Sequence, residues 1–414
     1  MLTRRSSIFV VGSGLWFAAA CCAAAADPAP AAIPASQPAM VEVPLILDGS
    51  PQTPEERAAA IDYLSRATER FLQDGQLLPA AQALRQRAEL FMGFDGWERL
   101  TTLAVDPPRG WGASRRLQRT LAIESLDRAM VLAGNHPLAA EAAYRKAALY
   151  VDYLERGDAE VALLACRTAL QRWPEHRDAP WAAFEIAEML ERDRDDPVAA
   201  AEQYGALLGR YPNTKWAARA ALQRGEILSP ALSLHATAQV KPGDSGDIHF
   251  AARNVQRIVL RAFRVDLFEL AQQTDALQTL GTWSPAGAPV ATWDVPLADD
   301  GRHHVFDSQR QNGPKPTRLP VTEAGAYVIV GEGGAGAAHV QAATLMLVTD
   351  LAVTCTSSPQ RCLVFAADAG TGGPQRQADV LLMACREKRP TYSLTGTTDD
   401  AGVCTLLHPE KLEP

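Results

Sequence analysis

Gly243-Asp244-Ser245-Gly246 would hold a serine hydroxyl out on a tight turn, the presentation an attacking nucleophile needs. Such a serine also requires a histidine to take its proton and a carboxylate to orient that histidine. Asp299, Asp300, His303, His304 and Asp307, within DDGRHHVFD, are all metal-capable side chains. Gly331, Gly333 and Gly336, in VIVGEGGAG, have the spacing that cradles a dinucleotide pyrophosphate when a strand precedes and a helix follows. TDDAG, residues 398–402, offers oxygen donors of the kind calcium prefers. Cysteines complete the reactive set, with Cys355, Cys362, Cys385 and Cys404 close together in sequence and Cys166 apart from them.

The elements that would position these groups argue against most of this chemistry. ALSLHATAQV places Leu232, Leu234, Ala236, Ala238 and Val240 on alternate positions, and DIHFAA repeats the alternation with Ile248, Phe250 and Ala252. Ser245 therefore sits in KPGDSG, the turn of a strand pair. In trypsin-like peptidases a further glycine follows the motif and the histidine comes earlier, within a β-barrel. Here residue 247 is Asp, the preceding region is helical, and His339 in AAHV comes after the serine. Neighbouring histidines on a strand point to opposite faces, so His303 and His304 read as part of a solvated loop. HVQAATLMLVTDLAV after the glycines reads as another strand, which makes the glycine run a hairpin. TDDAG lacks the alternating acids of a calcium loop and reads as a tight hairpin turn. No catalytic, cofactor-binding or metal-ligating residue is expected, and the chain reads as non-enzymatic.

At 414 residues the chain has room for about two to four domains. Its net charge of −8 speaks against a nucleic-acid partner, which needs a concentrated basic face. MLTRR, the apolar stretch after it and Ala24-Ala25-Ala26 make residues 1–26 a signal peptide, so the mature chain is expected outside the cytoplasm, in the periplasm or beyond it. Membrane association would require a lipid on Cys21 or Cys22, but Ala18 stands where lipoprotein signals favour a larger aliphatic residue. Export permits disulfides among the four late cysteines. Cys355 and Cys362 flank TSSPQR, so a hairpin there sets them across from each other. Cys385 and Cys404 are then left to join neighbouring strands, although four cysteines allow three pairings.

Residues 27–52 are an Ala/Pro-rich linker, and residues 53–229 have helical periodicity. ALLACRTALQRWP, ending at Pro174, aligns with AAEQYGALLGRYP, ending at Pro212, an offset of 38 residues. Leu163, Cys166, Leu170 and Trp173 in one copy, and Ala201, Tyr204, Leu208 and Tyr211 in the other, each fall on one helix face. This resembles the tetratricopeptide repeat, in a degenerate form. Ala162, Cys166, Ala169 and Pro174 match its second-helix positions, and Ala200, Tyr204, Leu207 and Pro212 match them again. The resemblance implies a solenoid that binds partners or packs against a neighbouring domain, with Cys166 a packed thiol.

The β region is similar to consecutive macroglobulin domains of the bacterial alpha-2-macroglobulin family. The first would span residues 230–349, carried by VKPGDSGDIHFAARNVQRIVLRAFRVD and by TEAGAYVIV with Tyr327. The second would span residues 350–414 and be incomplete, with Asp368, Thr371, Gly372, Pro374 and Ala378 at one turn and Thr398, Asp399 and Gly402 at another. The expected fold is multidomain α + β: an α-helical repeat solenoid followed by two antiparallel β-sandwich domains. The resemblance implies the amino-terminal scaffold of an endopeptidase inhibitor, whose partners are proteins. No bait segment and no Cys-Gly-Glu-Gln thioester motif occurs in this chain. The competing reading is a cell-envelope scaffold or assembly protein whose sandwich modules space a repeat solenoid.

Overall fold

The computed structural model describes residues 7–11, 51, 53–94, 97–103, 109–152, 159–272, 280–283, 285, 287–334, 336–358, 360–386 and 389–407. Residues 7–11, 98, 272, 282, 337, 384–386 and 389–392 are described by backbone alone. Cys21, Cys22 and the linker up to residue 50 lie outside these residues, as does the side chain of Cys385. The chain divides into two compact units, residues 27–227 and residues 228–414 with 1–26. The first is helical and the second is built mainly of sheets, so the chain is α + β and multidomain.

The helical unit holds α1 (Pro54–Gln73), α2 (Leu77–Phe91), α3 (Trp111–Ala133), α4 (Pro137–Asp152), α5 (Ala159–Arg172), α6 (Ala179–Arg192), α7 (Pro197–Arg210) and α8 (Lys215–Leu228). α1 starts where its sequence supplies a cap. The Thr53 hydroxyl accepts from Glu56 N–H at 3.2 Å while the Glu56 carboxylate accepts from Thr53 N–H at 3.2 Å, and Pro54 opens the first turn. Asp196 caps α7 by accepting from Ala199 N–H at 3.1 Å. From α1 to α6 each helix lies against its successor.

The 38-residue offset reappears as matching burial. Ala162 and Ala200 are buried, as are Cys166 and Tyr204, and Ala169 and Leu207. Alanines at these contacts let helix axes approach closely, and larger side chains fill what remains. Tyr144, Leu163, Cys166 and Ile186 share one core, and Phe184, Tyr204, Leu207 and Ile227 share the next. Ile61, Leu84, Phe91, Phe94 and Leu126 form the core of the first helices.

In the second unit a strand β1 (Ser7–Val11) is followed by β2 (Ala231–Ala236), β3 (Gln239–Val240), β4 (Asp247–Arg253), β5 (Arg257–Val265), the short helix α9 (Leu267–Gln272), β6 (Ala291–Pro296), β7 (Phe306–Asp307), β8 (Thr317–Arg318), β9 (Gly325–Gly333) and β10 (Val340–Val348). One sheet has the order β3-β10-β9-β5-β6, and a second has β2-β4-β7 with β8 also on β4. Leu234, Ile248 and Phe250 from the second sheet meet Ile258, Leu260, Tyr327, Ile329 and Met346 from the first in one core. The alternating run 232–240 is not a single strand. It breaks at Thr237 and Ala238, passing from β2 in one sheet to β3 in the other, where β3 runs parallel to β10. The alternation continues across the break because both sheets face the same core: Leu232, Ala236 and Val240 all border it.

The chain then forms β11 (Leu351–Ser357), β12 (Arg361–Asp368), β13 (Asp379–Arg386), β14 (Arg389–Thr397) and β15 (Val403–Leu407). β11-β12-β15 make one three-stranded sheet and β1-β13-β14 another. Cys362, Val364, Ala366, Val380, Leu382, Cys404 and Leu406 form their common core. β1, inside the stretch read as a leader, runs parallel to β13, with Ser7 opposite Asp379 and Val11 opposite Met383. The turn at 398–402 is a crossover rather than a hairpin. β14 pairs with β13 and β15 with β12, so the chain changes sheet there.

Candidate protein-binding cleft

The alternate helices α2, α4 and α6 of the first unit together line a cleft of about 400 Å³. α2 supplies Arg85 and Glu89, and α4 supplies Glu141, Tyr144, Arg145 and Ala148. Arg177, Asp178 and Trp181 come from the start of α6 and the turn before it. Residues four apart on a helix lie on one face, so Arg85 with Glu89, and Glu141 with Arg145, present two like-spaced charge pairs to each other. They interlock crosswise: Arg145 Nη2 lies 2.7 Å from Glu89 Oε2, and Arg85 Nε lies 3.6 Å from Glu141 Oε2. All four side chains keep between 23% and 44% of their surface in water. Ion pairs this exposed contribute only about 0–1 kcal/mol, so a partner's charges can replace either member at little cost.

The floor of the cleft is fixed. The Tyr144 hydroxyl donates to Trp173 O at 2.8 Å, and its ring stacks on His176 at 4.6 Å, nearly parallel. Burial pushes the Tyr144 phenol well above its ordinary value and depresses the His176 imidazole. Both rings therefore stay neutral near pH 7. Glu185, one turn past Trp181, accepts a hydrogen bond from the Trp181 side chain; burial raises its carboxyl, with the Glu188 charge adding to the effect. A rigid aromatic base beneath exchangeable guanidinium and carboxylate groups suits recognition of a polypeptide better than proton transfer.

The structure disperses the motifs singled out in the sequence. Ser245 is exposed in the turn between β3 and β4, and its hydroxyl donates to Leu319 O at 2.9 Å. Gly331 lies in β9 opposite Leu260 of β5 and Ala342 of β10. A Cβ on Gly331 would stand 2.8 Å from Leu234 Cδ1, so this glycine lets β2 approach β9 rather than cradling a phosphate. β9 and β10 form the expected hairpin. Asp299, Asp300 and Asp307 accept from the backbone N–H two residues on, at 3.1, 3.1 and 2.9 Å, while His303 Nδ1 lies 2.7 Å from Asn254 Oδ1. Among the described residues no group of three or more His, Cys, Asp or Glu side chains could hold a metal ion. Asp399 accepts from Ala401 and Val403 N–H, each at 2.9 Å, and so organises its turn.

The cysteines are brought closer together. Cys355 and Cys362 lie on neighbouring strands with their Sγ atoms 3.1 Å apart, and Cys404 pairs with Val364 across β12. Cys166 is a buried thiol, pushed up to about 12 first by burial. None of the cleft residues was singled out in the sequence. The signal available was the repeated Arg/Glu spacing of four residues in α2 and α4, but without the fold nothing marks those faces as adjacent.

Comparison with solved structures finds similarity to native alpha-2-macroglobulin from Escherichia coli spanning domains NIE-MG1. The identity is 16%, the match covers 44% of this chain and 89% of that one, and the TM-score is 0.30. A structure of the same protein spanning MG0-NIE-MG1 is 18% identical over 44% of this chain, which spans 58% of that structure's length, with a TM-score of 0.29. No protein-family model matches the sequence, and no curated protein does. Among the described residues no helix is long and apolar enough to cross a membrane.

Proposed function

We propose that this chain is an exported, non-enzymatic protein-binding scaffold: a helical repeat solenoid followed by two macroglobulin-like β-sandwiches, serving as the amino-terminal region of an alpha-2-macroglobulin-like endopeptidase inhibitor. The cleft on α2, α4 and α6 is the observation that carries the binding role. Its three arginines and three carboxylates suit an extended segment bearing charges of both signs, and the partly exposed Trp181 offers a surface for an apolar residue. The sandwich reading is supported by each pair of sheets sharing one core. It is also supported by Tyr327, buried at the start of β9, whose hydroxyl donates to Glu323 O four residues back at 2.9 Å. That corner is a recurrent device of two-sheet folds.

The binding role is tested by titrating a panel of fluorescent, extended, mixed-charge peptides and measuring anisotropy. Wild-type protein should bind a subset, and Trp181→Ala and Arg145→Glu should each weaken that binding at least about tenfold, the loss of roughly 1.4 kcal/mol. Equal affinity in both variants would move the site elsewhere.

A further inference from the structure

Three thiols meet on the inner face of the β11-β12-β15 sheet. Cys355 lies opposite Val364, Cys362 opposite Ser357 and Leu406, and Cys404 opposite Val364 on its other side. Residues two apart on a strand share a face, so Cys362 lies one diagonal step from Cys355 and one from Cys404. The loop joining β11 and β12 is held at its base: Ser358 N–H donates to Arg361 O at 2.8 Å, and Arg361 N–H donates to the Ser358 hydroxyl at 3.2 Å. This keeps the diagonal short and leaves the Cys355 and Cys362 sulfurs 3.1 Å apart, against a disulfide bond of about 2.05 Å. A bond would shorten this gap by about 1 Å.

We propose that Cys355 and Cys362 form an oxidation-closed staple on the edge strand β11, while Cys404 remains a thiol. The oxidant is a disulfide, either of an oxidoreductase or of oxidised glutathione. Access sets the order of events. Cys355 is exposed, whereas Cys362 is buried. Burial first, and then the Cys355 hydrogen bond, push the Cys362 thiol up to about 12. The Cys355 thiolate attacks one sulfur of the oxidant and expels the other as a thiolate, which takes up a proton. The Cys362 sulfur then attacks Cys355 Sγ, breaking the mixed disulfide, and its proton passes to the expelled thiolate, which leaves as the second thiol. Two protein thiols and one external disulfide become one protein disulfide and two external thiols.

The Cys404 sulfur is directed at the facing sheet. It faces Gly396 of β14 so closely that a Cβ there would stand 2.6 Å from it. The sequence-expected partner of Cys404, Cys385, pairs in register with Pro390. Gly396 is six residues further along β14, or roughly 20 Å of strand. A disulfide tolerates a Cα separation of only about 7 Å.

The test uses the full chain in its native state, treated with oxidised glutathione and then alkylated, denatured, alkylated with a second reagent, and digested without reduction. The expected map links Cys355 to Cys362 and shows Cys404 labelled only after denaturation. The Cys362→Ala variant should trap a glutathione adduct on Cys355, and Cys404→Ser should leave the bridge intact. Separate alkylation of Cys355 and Cys362, or a Cys362–Cys404 bridge, would overturn the proposal. If Cys362→Ala fails to fold, Cys355→Ser decides the matter, because the proposal requires its Cys362 and Cys404 to remain unmodified by glutathione in the native protein.

Discussion

Asp62 shows how one side chain can tie a helix to the segment beyond its neighbour. Burial alone would raise its carboxyl, but it accepts from Thr101 and Thr102, from N–H groups at 2.8 and 3.0 Å and from both hydroxyls, and the balance holds it below its ordinary 3.8. A carboxylate whose folded value is depressed adds stability above its unfolded value, and that stability is lost as pH falls through the folded value. Asp62→Asn should therefore cost about 1–3 kcal/mol at neutral pH, by removing charge-assisted bonds, and less below pH 4. Urea unfolding at two pH values measures both effects. The tyrosines make a matched pair. Tyr144 donates to Trp173 O, whereas the buried Tyr204 hydroxyl finds no hydrogen-bond partner among the described residues. Tyr144→Phe should destabilise by about 0.5–1.5 kcal/mol, and Tyr204→Phe should be neutral or stabilising. Ser245→Ala should change stability by less than about 1 kcal/mol. Loss of a peptide- or ester-hydrolysing activity in that variant would instead make Ser245 catalytic.

Turns that end one strand and aim the next matter most among the elements. Asp368 accepts from Gly370 N–H, Thr371 N–H and the Thr371 hydroxyl at 2.9, 2.7 and 2.9 Å, and Thr398 locks the neighbouring crossover by donating to Gln375 O at 2.7 Å. Gly402 completes that crossover at φ 76°, where a side chain is strained and a Cβ would collide with Ala366 O. Gly402→Ala should cost about 1–3 kcal/mol, read as a lower denaturation midpoint. These turn residues were legible in the sequence because turns need particular residue types at particular positions. Their role was not legible, since a hairpin and a crossover between sheets use the same turn chemistry.

At the scale of the molecule, among the described residues each hydrophobic core draws its members from one compact unit. Residues 53–227 expressed separately should therefore fold, giving a helical circular dichroism spectrum and cooperative melting. A fragment with neither would show that the second unit is needed. The proposed scaffold role carries its own expectation: incubated with several endopeptidases, this chain should block cleavage of a large substrate by none of them. Blocked cleavage of large substrates with small ones still cleaved would place trapping within the chain itself.

Periodicity by itself determined the change from helix to strand near residue 230, because burying one face imposes a period of about 3.6 in helices and 2 in strands. It also showed the 38-residue recurrence, the turn at Ser245 and the glycine hairpin after β9. Only the tertiary structure decided that the alternating run 232–240 serves two sheets and that TDDAG joins different sheets. The same holds for the meeting of Arg85, Glu89, Glu141 and Arg145, and for the place of Cys404 beside Cys362, whereas the approach of Cys362 to Cys355 was legible from the hairpin residues between them. Local patterns report which face of an element is buried. Which elements share that burial depends on contacts between residues far apart in the chain, and these leave no periodic trace.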